Sequence, residues 1–162
     1  MSARTLQIAL PTPDVTTDFA TTIGAVLKPG DCILLEGEIG AGKTHFARSL
    51  IQSQMAVPED VPSPTFTLVQ TYELPRGEYW HADLYRLSDL NEIEELGLTA
   101  AFDTAICLIE WPDRLDELMP KSALRITLAL DPEAQDGRIA TLAGEAYRWD
   151  ALIQQIADTY HD

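Results

Sequence analysis

At 162 residues, 46% hydrophobic and 23% charged, the chain is long enough to bury one proper core, and a single domain over residues 1–162 accounts for it. Its 26 acidic residues against 11 Lys and Arg give a formal charge of −15, which excludes an autonomous nucleic-acid binder working through a basic patch; if RNA is involved, a partner holds it. Cys32 and Cys107 both sit inside apolar runs and read as reduced, buried thiols, not a disulfide or a metal site. The opening MSARTLQIALPTPD has no charged lead followed by a long apolar core, and no window approaches the roughly 18 continuous apolar residues of a membrane span. The expectation is a soluble, cytoplasmic protein without a membrane segment.

Thr5 to Leu10 alternates as a strand does, and Pro11-Thr-Pro-Asp14 breaks it before an amphipathic helix expected from about Val15 to Leu27. Lys28-Pro-Gly-Asp31 is a turn into the apolar run Cys32–Glu36, which reads as a strand. Gly37, Gly42, Lys43 and Thr44 then stand at the spacing G-x-x-x-x-G-K-[ST], the phosphate-binding loop of nucleotide triphosphatases. Glycines at 37, 40 and 42 let successive N–H groups turn inward as an anion nest, and a helix starting near Lys43 adds its N-terminal dipole. Lys43 can reach the β- and γ-phosphates, and the Thr44 hydroxyl can ligate Mg²⁺. In the following helix Phe46, Leu50 and Ile51 share one face, so the motif has the strand, loop and helix context it requires.

Val57 to Pro64 carries three prolines and reads as a conformationally restricted loop. Ser63-Pro-Thr-Phe66 enters the next strand where a segment ordered by the γ-phosphate is commonly placed, and Thr65 can offer its hydroxyl or backbone there. Thr65–Glu73 and Glu78–Leu87 read as an antiparallel hairpin around Leu74-Pro-Arg-Gly77, with His81, Asp83 and Tyr85 on one face. Ser88–Leu96 reads as a short helix stopped by Gly97, with a further turn over Leu98–Asp103. Ala105–Ile109 is a continuous apolar run, expected for a strand buried on both faces, ending in Glu110-Trp111-Pro112. Pro112 starts a helix expected through Met119; Leu124–Leu130 and Arg138–Ala143 are strands, and Tyr147–Tyr160 is a final amphipathic helix.

A phosphate loop alone binds; hydrolysis also needs a carboxylate near Mg²⁺. Glu110 is the first candidate, because open α/β sheets place their ligand crevice at the C-terminal ends of the strands, and Asp83 is the second. The alternatives are an exposed acid at a strand end for Glu110 and a solvated face for Asp83. His81 is read as a hydrogen-bonded structural histidine, and Trp111 as either a stacking group of the site or a packing residue.

Gly37–Thr44, Ser63-Pro-Thr-Phe-Thr-Leu-Val69, His81-Ala-Asp-Leu-Tyr-Arg86 and Leu108-Ile-Glu-Trp-Pro112 together resemble, in order and spacing, the bacterial TsaE (YjeE) family, the ATPase of tRNA threonylcarbamoyladenosine biosynthesis. The resemblance runs from the N-terminal helix to at least Pro120. It implies an α/β fold, a single-domain P-loop NTPase with a mixed, partly parallel central sheet flanked by helices, using ATP and Mg²⁺. Carried onto this sequence, it implies nucleotide contacts from Glu38, Ile39, Gly40, Ala41, Gly42, Lys43, Thr44, His45 and Thr65. Thr44, Glu110 and Asp83 would serve the metal, and Lys43, Asp83, Glu110 and Trp111 would serve catalysis. His45 departs from the pattern, where a second Thr is common. The implied partners are a threonylcarbamoyl transferase, acting on adenosine 37 of tRNAs that read ANN codons, and its paralogous scaffold subunit, with tRNA engaged through them. Two other readings share the phosphate loop: a small-molecule kinase, which would need an acceptor site and an arginine-bearing lid, and a nucleotide-switched regulatory subunit with little turnover. A GTPase is disfavoured, because no [NT]-K-x-D segment is present.

Overall fold

The computed structural model describes residues 4–38, 40–57, 59, 61, 68–87, 89–144 and 147–160. Strand β1 (Arg4–Leu10) leads to helix α1 (Pro13–Gly24), strand β2 (Cys32–Glu36), helix α2 (Lys43–Ser53), and the hairpin of β3 (Val69–Leu74) and β4 (Gly77–Asp83). Helices α3 (Asn91–Leu96) and α4 (Leu98–Thr104) precede strand β5 (Ile106–Glu110) and a 3-10 helix (Pro112–Leu118). Strands β6 (Leu124–Leu130) and β7 (Arg138–Gly144), a short 3-10 turn (Tyr147–Trp149) and helix α5 (Asp150–Tyr160) complete the chain.

The seven strands of the described residues join one mixed sheet in the order β1-β7-β6-β2-β5-β4-β3. The neighbours β6, β2, β5 and β4 run parallel, while β1–β7, β7–β6 and β3–β4 are antiparallel. Helices α1, α2 and α5 cover one face through Phe19, Phe46, Leu50 and Ile153, and α3, α4 and the 3-10 helix cover Leu34, Cys107 and Ile109 on the other. Strand β5 is therefore buried at every position, as its unbroken apolar run predicts. Cys32 and Cys107 sit opposite each other in the β2–β5 register as free, buried thiols. Burial raises the Cys107 thiol to about 12 and pushes Cys32 up as well, so both stay protonated at neutral pH. No helix of the described residues is long and apolar enough to cross a membrane.

Several element boundaries differ from the sequence reading, each for a local reason. Helix α1 begins at Pro13, because the Thr12 side chain caps it by accepting the Val15 N–H and proline is tolerated in the first turn; it ends at Gly24. The second hairpin strand stops at Asp83, not Leu87: the Asp83 carboxylate accepts the Tyr85 N–H and turns the chain. The first begins at Val69; residues 65–67 lie outside the described residues. The Ser88 start of the next helix also lies outside them, and α3 begins at Asn91, whose N–H bonds the Asp89 carboxylate. The helix expected after Pro112 is a 3-10 helix broken at Asp116, which takes φ 49° and ψ −122°. The final helix begins at Asp150 and not at Tyr147, preceded by the 3-10 turn, which buries Trp149 and lets its indole N–H donate to the Ser122 carbonyl.

Candidate functional site

The loop between β2 and α2 takes its shape from glycines. Gly37 has φ 143°, and a Cβ built there would lie 2.3 Å from the backbone oxygen of Leu128, so only glycine lets the loop leave β2 this close to β6. Gly42, at φ 103°, sets the start of α2 without a side-chain cap. Lys43 is the first helical residue, and its buried ammonium donates to the carbonyls of Gly37 and Glu38. Burial lowers its pKa, and the nearby Glu110 and Asp83 carboxylates partly restore it.

Strand parity brings the acids to this loop. Asp83 on β4 pairs with Glu110 on β5, so both side chains emerge on the α2 face at the C-terminal ends of adjacent parallel strands. The Thr44 hydroxyl lies 2.9 and 3.1 Å from the two Glu110 oxygens, donating its one proton to that carboxylate. Glu110 is 2% exposed and Asp83 7% exposed. Neither alternative reading, an exposed strand-end acid or a solvated face, describes them. His81, two residues before Asp83 on the same face, is fully buried with its Nε2 2.7 Å from Glu110 Oε2.

Trp111 takes the left-handed conformation at φ 58° and ψ 54°, which swings its indole into the site. The Lys43 ammonium sits 4.1 Å from its ring centre, and the half-exposed Tyr85 ring packs against it at 4.9 Å between centroids. Trp111 is thus a wall of the site. Lys43, Thr44, Asp83, Tyr85, Glu110 and Trp111, with Gly40, Gly42, His45 and Arg86, line a cleft of about 450 Å³. A smaller hollow of about 160 Å³ shares Gly42 and His45 with it and is bounded by Pro13, Thr16, Asp136 and Arg138. Of the remaining candidates, Ala41 is buried in the loop and its N–H bonds the Glu38 carbonyl, while the His45 ring meets Thr17 and the Pro13 carbonyl of α1. Ile39, Thr65 and the Ser63–Phe66 loop lie outside the described residues.

Sequence reasoning missed Arg138. Its guanidinium donates to the carbonyls of Ala41 and Gly40 from the start of β7, holding those two oxygens of the loop. The two residues are 97 apart in sequence, and only the sheet topology joins them.

The family model for threonylcarbamoyl adenosine biosynthesis protein TsaE matches residues 10–139. The chain belongs to the TsaE family. The tRNA threonylcarbamoyladenosine biosynthesis protein TsaE of Rickettsia bellii (strain RML369-C) is 37% identical over 139 residues, covering 86% of this chain and 95% of that one. The protein of the same description from Bacillus subtilis (strain 168) is 33% identical over 146 residues, covering 90% and 89%. A crystal structure of Bacillus subtilis YdiB superposes with a TM-score of 0.76 at 26% identity, covering 98% of this chain and 97% of that one. The TsaE family places this phosphate-loop fold in tRNA threonylcarbamoyladenosine biosynthesis.

Among the described residues no three or more His, Cys, Asp or Glu side chains form a metal cage. The Thr44 hydroxyl and the Glu110 and Asp83 carboxylates are hard oxygen donors of the kind from which a Mg²⁺ site is built, one or two carboxylates together with substrate phosphates and not an all-protein cage.

Proposed function

We propose that this protein binds and hydrolyses ATP with Mg²⁺ as the ATPase component of tRNA N6-threonylcarbamoyladenosine biosynthesis. The observation that carries the reading is the Thr44 hydroxyl held on the Glu110 carboxylate at the mouth of the phosphate loop, beside Lys43. The loop amides and the α2 N-terminus would receive the β-phosphate, and Lys43 would exchange its two loop carbonyls for phosphate oxygens. The hollow beside His45 and Arg138 would take the nucleoside. Two carboxylates facing a triphosphate repel it unless a cation lies between them, so Thr44, Glu110 and Asp83 would hold Mg²⁺. When bound, that ion would offset the negative charge that develops on the phosphate oxygens. Asp83 would orient the water whose oxygen attacks the γ-phosphorus as the bond to ADP breaks, with the water's proton passing to Asp83 or to solvent.

The charge of −15 leaves little means of gripping RNA phosphates. The tRNA would therefore be held by the threonylcarbamoyl transferase and its paralogous scaffold subunit, with this ATPase docking on them to support multiple turnover. A cytoplasmic location fits that role.

Phosphate release, measured with and without the purified transferase and scaffold, tests the reading together with co-elution under ATP analogue, ADP and no nucleotide. Hydrolysis that rises with the partners, and binding that depends on nucleotide state, are expected. Threonylcarbamoyladenosine formed over many cycles at the same rate without this protein would overturn it.

A further inference from the structure

We propose that His81 is a positioning residue for the metal-binding carboxylate: its Nε2–H holds Glu110 in the rotation that presents the carboxylate to the metal beside Thr44. The inference rests on the nucleotide and metal reading above and adds to it a residue that does not touch nucleotide or metal. The parity of β4 turns His81 toward Glu110, its Nε2 stands 2.7 Å from Oε2, and both side chains are sealed from solvent at 0% and 2% exposure.

Partner geometry assigns the proton. His81 Nδ1 has no hydrogen-bond partner among the described residues. If Nδ1 carried the proton, a buried N–H would go unpaired and the Nε2 lone pair would face a carboxylate oxygen, two penalties at once. With the proton on Nε2 the imidazole donates to Oε2, and only a lone pair is left unpaired. Glu110 is then held from two sides, by the imidazole N–H on Oε2 and by the Thr44 hydroxyl. Without the histidine, Oε2 would lose its donor on the buried side of the cleft, and the carboxylate would rotate toward the Lys43 ammonium, the cation it already faces. Outer partners that orient metal ligands typically change metal affinity by about 10-fold to 100-fold when removed.

The test uses Mn²⁺ as the probe, titrated by electron paramagnetic resonance into the full-length protein loaded with ADP, alongside metal-free ADP affinity and thermal stability. His81→Met removes the donor, His81→Asn keeps an amide that stops short of Oε2, and His81→Gln keeps one that reaches it. The expected result is Mn²⁺ affinity lower by about 10-fold or more in the Met and Asn variants, with metal-free ADP affinity unchanged and most of the loss recovered by Gln. If the Met variant fails to fold, the Asn and Gln pair decides. Equal Mn²⁺ affinity in wild type and Asn variant, or an equal loss in Asn and Gln that follows their melting temperatures, overturns the proposal. Wild-type protein that binds ADP without retaining Mn²⁺ overturns the metal reading itself and this inference with it.

Discussion

The parallel centre of the sheet and its antiparallel wing are built from similar residues and do different work. Strands β2, β5 and β4 are covered on both faces, and their C-terminal ends carry the phosphate loop, Glu110 and Asp83. The wing of β6, β7 and β1 buries only alternate residues, Ile126, Leu128, Ala140, Leu142 and Ile8, against α1, α2 and α5. It reaches the phosphate loop at two points, the Leu128 backbone oxygen that crowds Gly37 and the Arg138 guanidinium that holds the loop carbonyls. Burial on both faces fixes strand ends tightly enough to aim side chains, whereas burial on one face is enough to support a loop from outside.

Lys43→Ala should produce the largest effect, since it removes the one cation that the loop itself offers to the phosphates. ATP affinity measured by isothermal titration should fall by about 100-fold or more, while the melting temperature holds, because the ammonium's partners in the fold are loop carbonyls. Wild-type affinity would move nucleotide binding away from the central strands altogether. Next in size, Glu110→Gln and Asp83→Asn should lower turnover by about 100-fold with nucleotide still bound. Trp111→Ala should also lose turnover with the fold intact. Unchanged phosphate release in both carboxylate variants would remove them from the mechanism, and a Trp111→Ala loss that tracked melting temperature would return that residue to packing.

Leu142→Ala turns the comparison round. The side chain is fully buried in the wing, and its removal should cost about 2–5 kcal/mol of stability while nucleotide affinity well below the melting transition stays at wild type. A matching drop in affinity would show that the wing aims the site as tightly as the centre does.

What the sequence made legible was whatever is encoded locally. The glycine spacing of the phosphate loop, the apolar run of β5 and the acid at its end are read within one short window each, and the structure brings Lys43, Thr44, Asp83, Glu110 and Trp111 into one cleft. Arg138 was hidden because its role depends on β7 running beside β6 and so returning to a loop 97 residues earlier. From sequence His81 reads as a hydrogen-bonded structural histidine; the structure shows it buried and bonded to Glu110, a partner set by the β4–β5 register and invisible without the sheet. The break at Asp116 and the left-handed Trp111 carry no glycine to announce them, so a continuous helix after Pro112 was the natural expectation.

The alternation of β4 restricts where the chain tolerates a change of length. His81 and Asp83 face α2, while Ala82 between them packs with the α3 and α4 side. Deleting or inserting one residue between Glu78 and Ala82 would exchange the two faces, burying an imidazole or a carboxylate among Leu84, Ile93 and Ile109 and leaving an alanine beside Glu110. The turn between Leu74 and Gly77 is free of that arithmetic, because residues added there leave the parity of Glu78–Asp83 against β5 unchanged. Natural length variants and engineered insertions in this part of the chain should therefore collect at the hairpin tip and stay out of the strand.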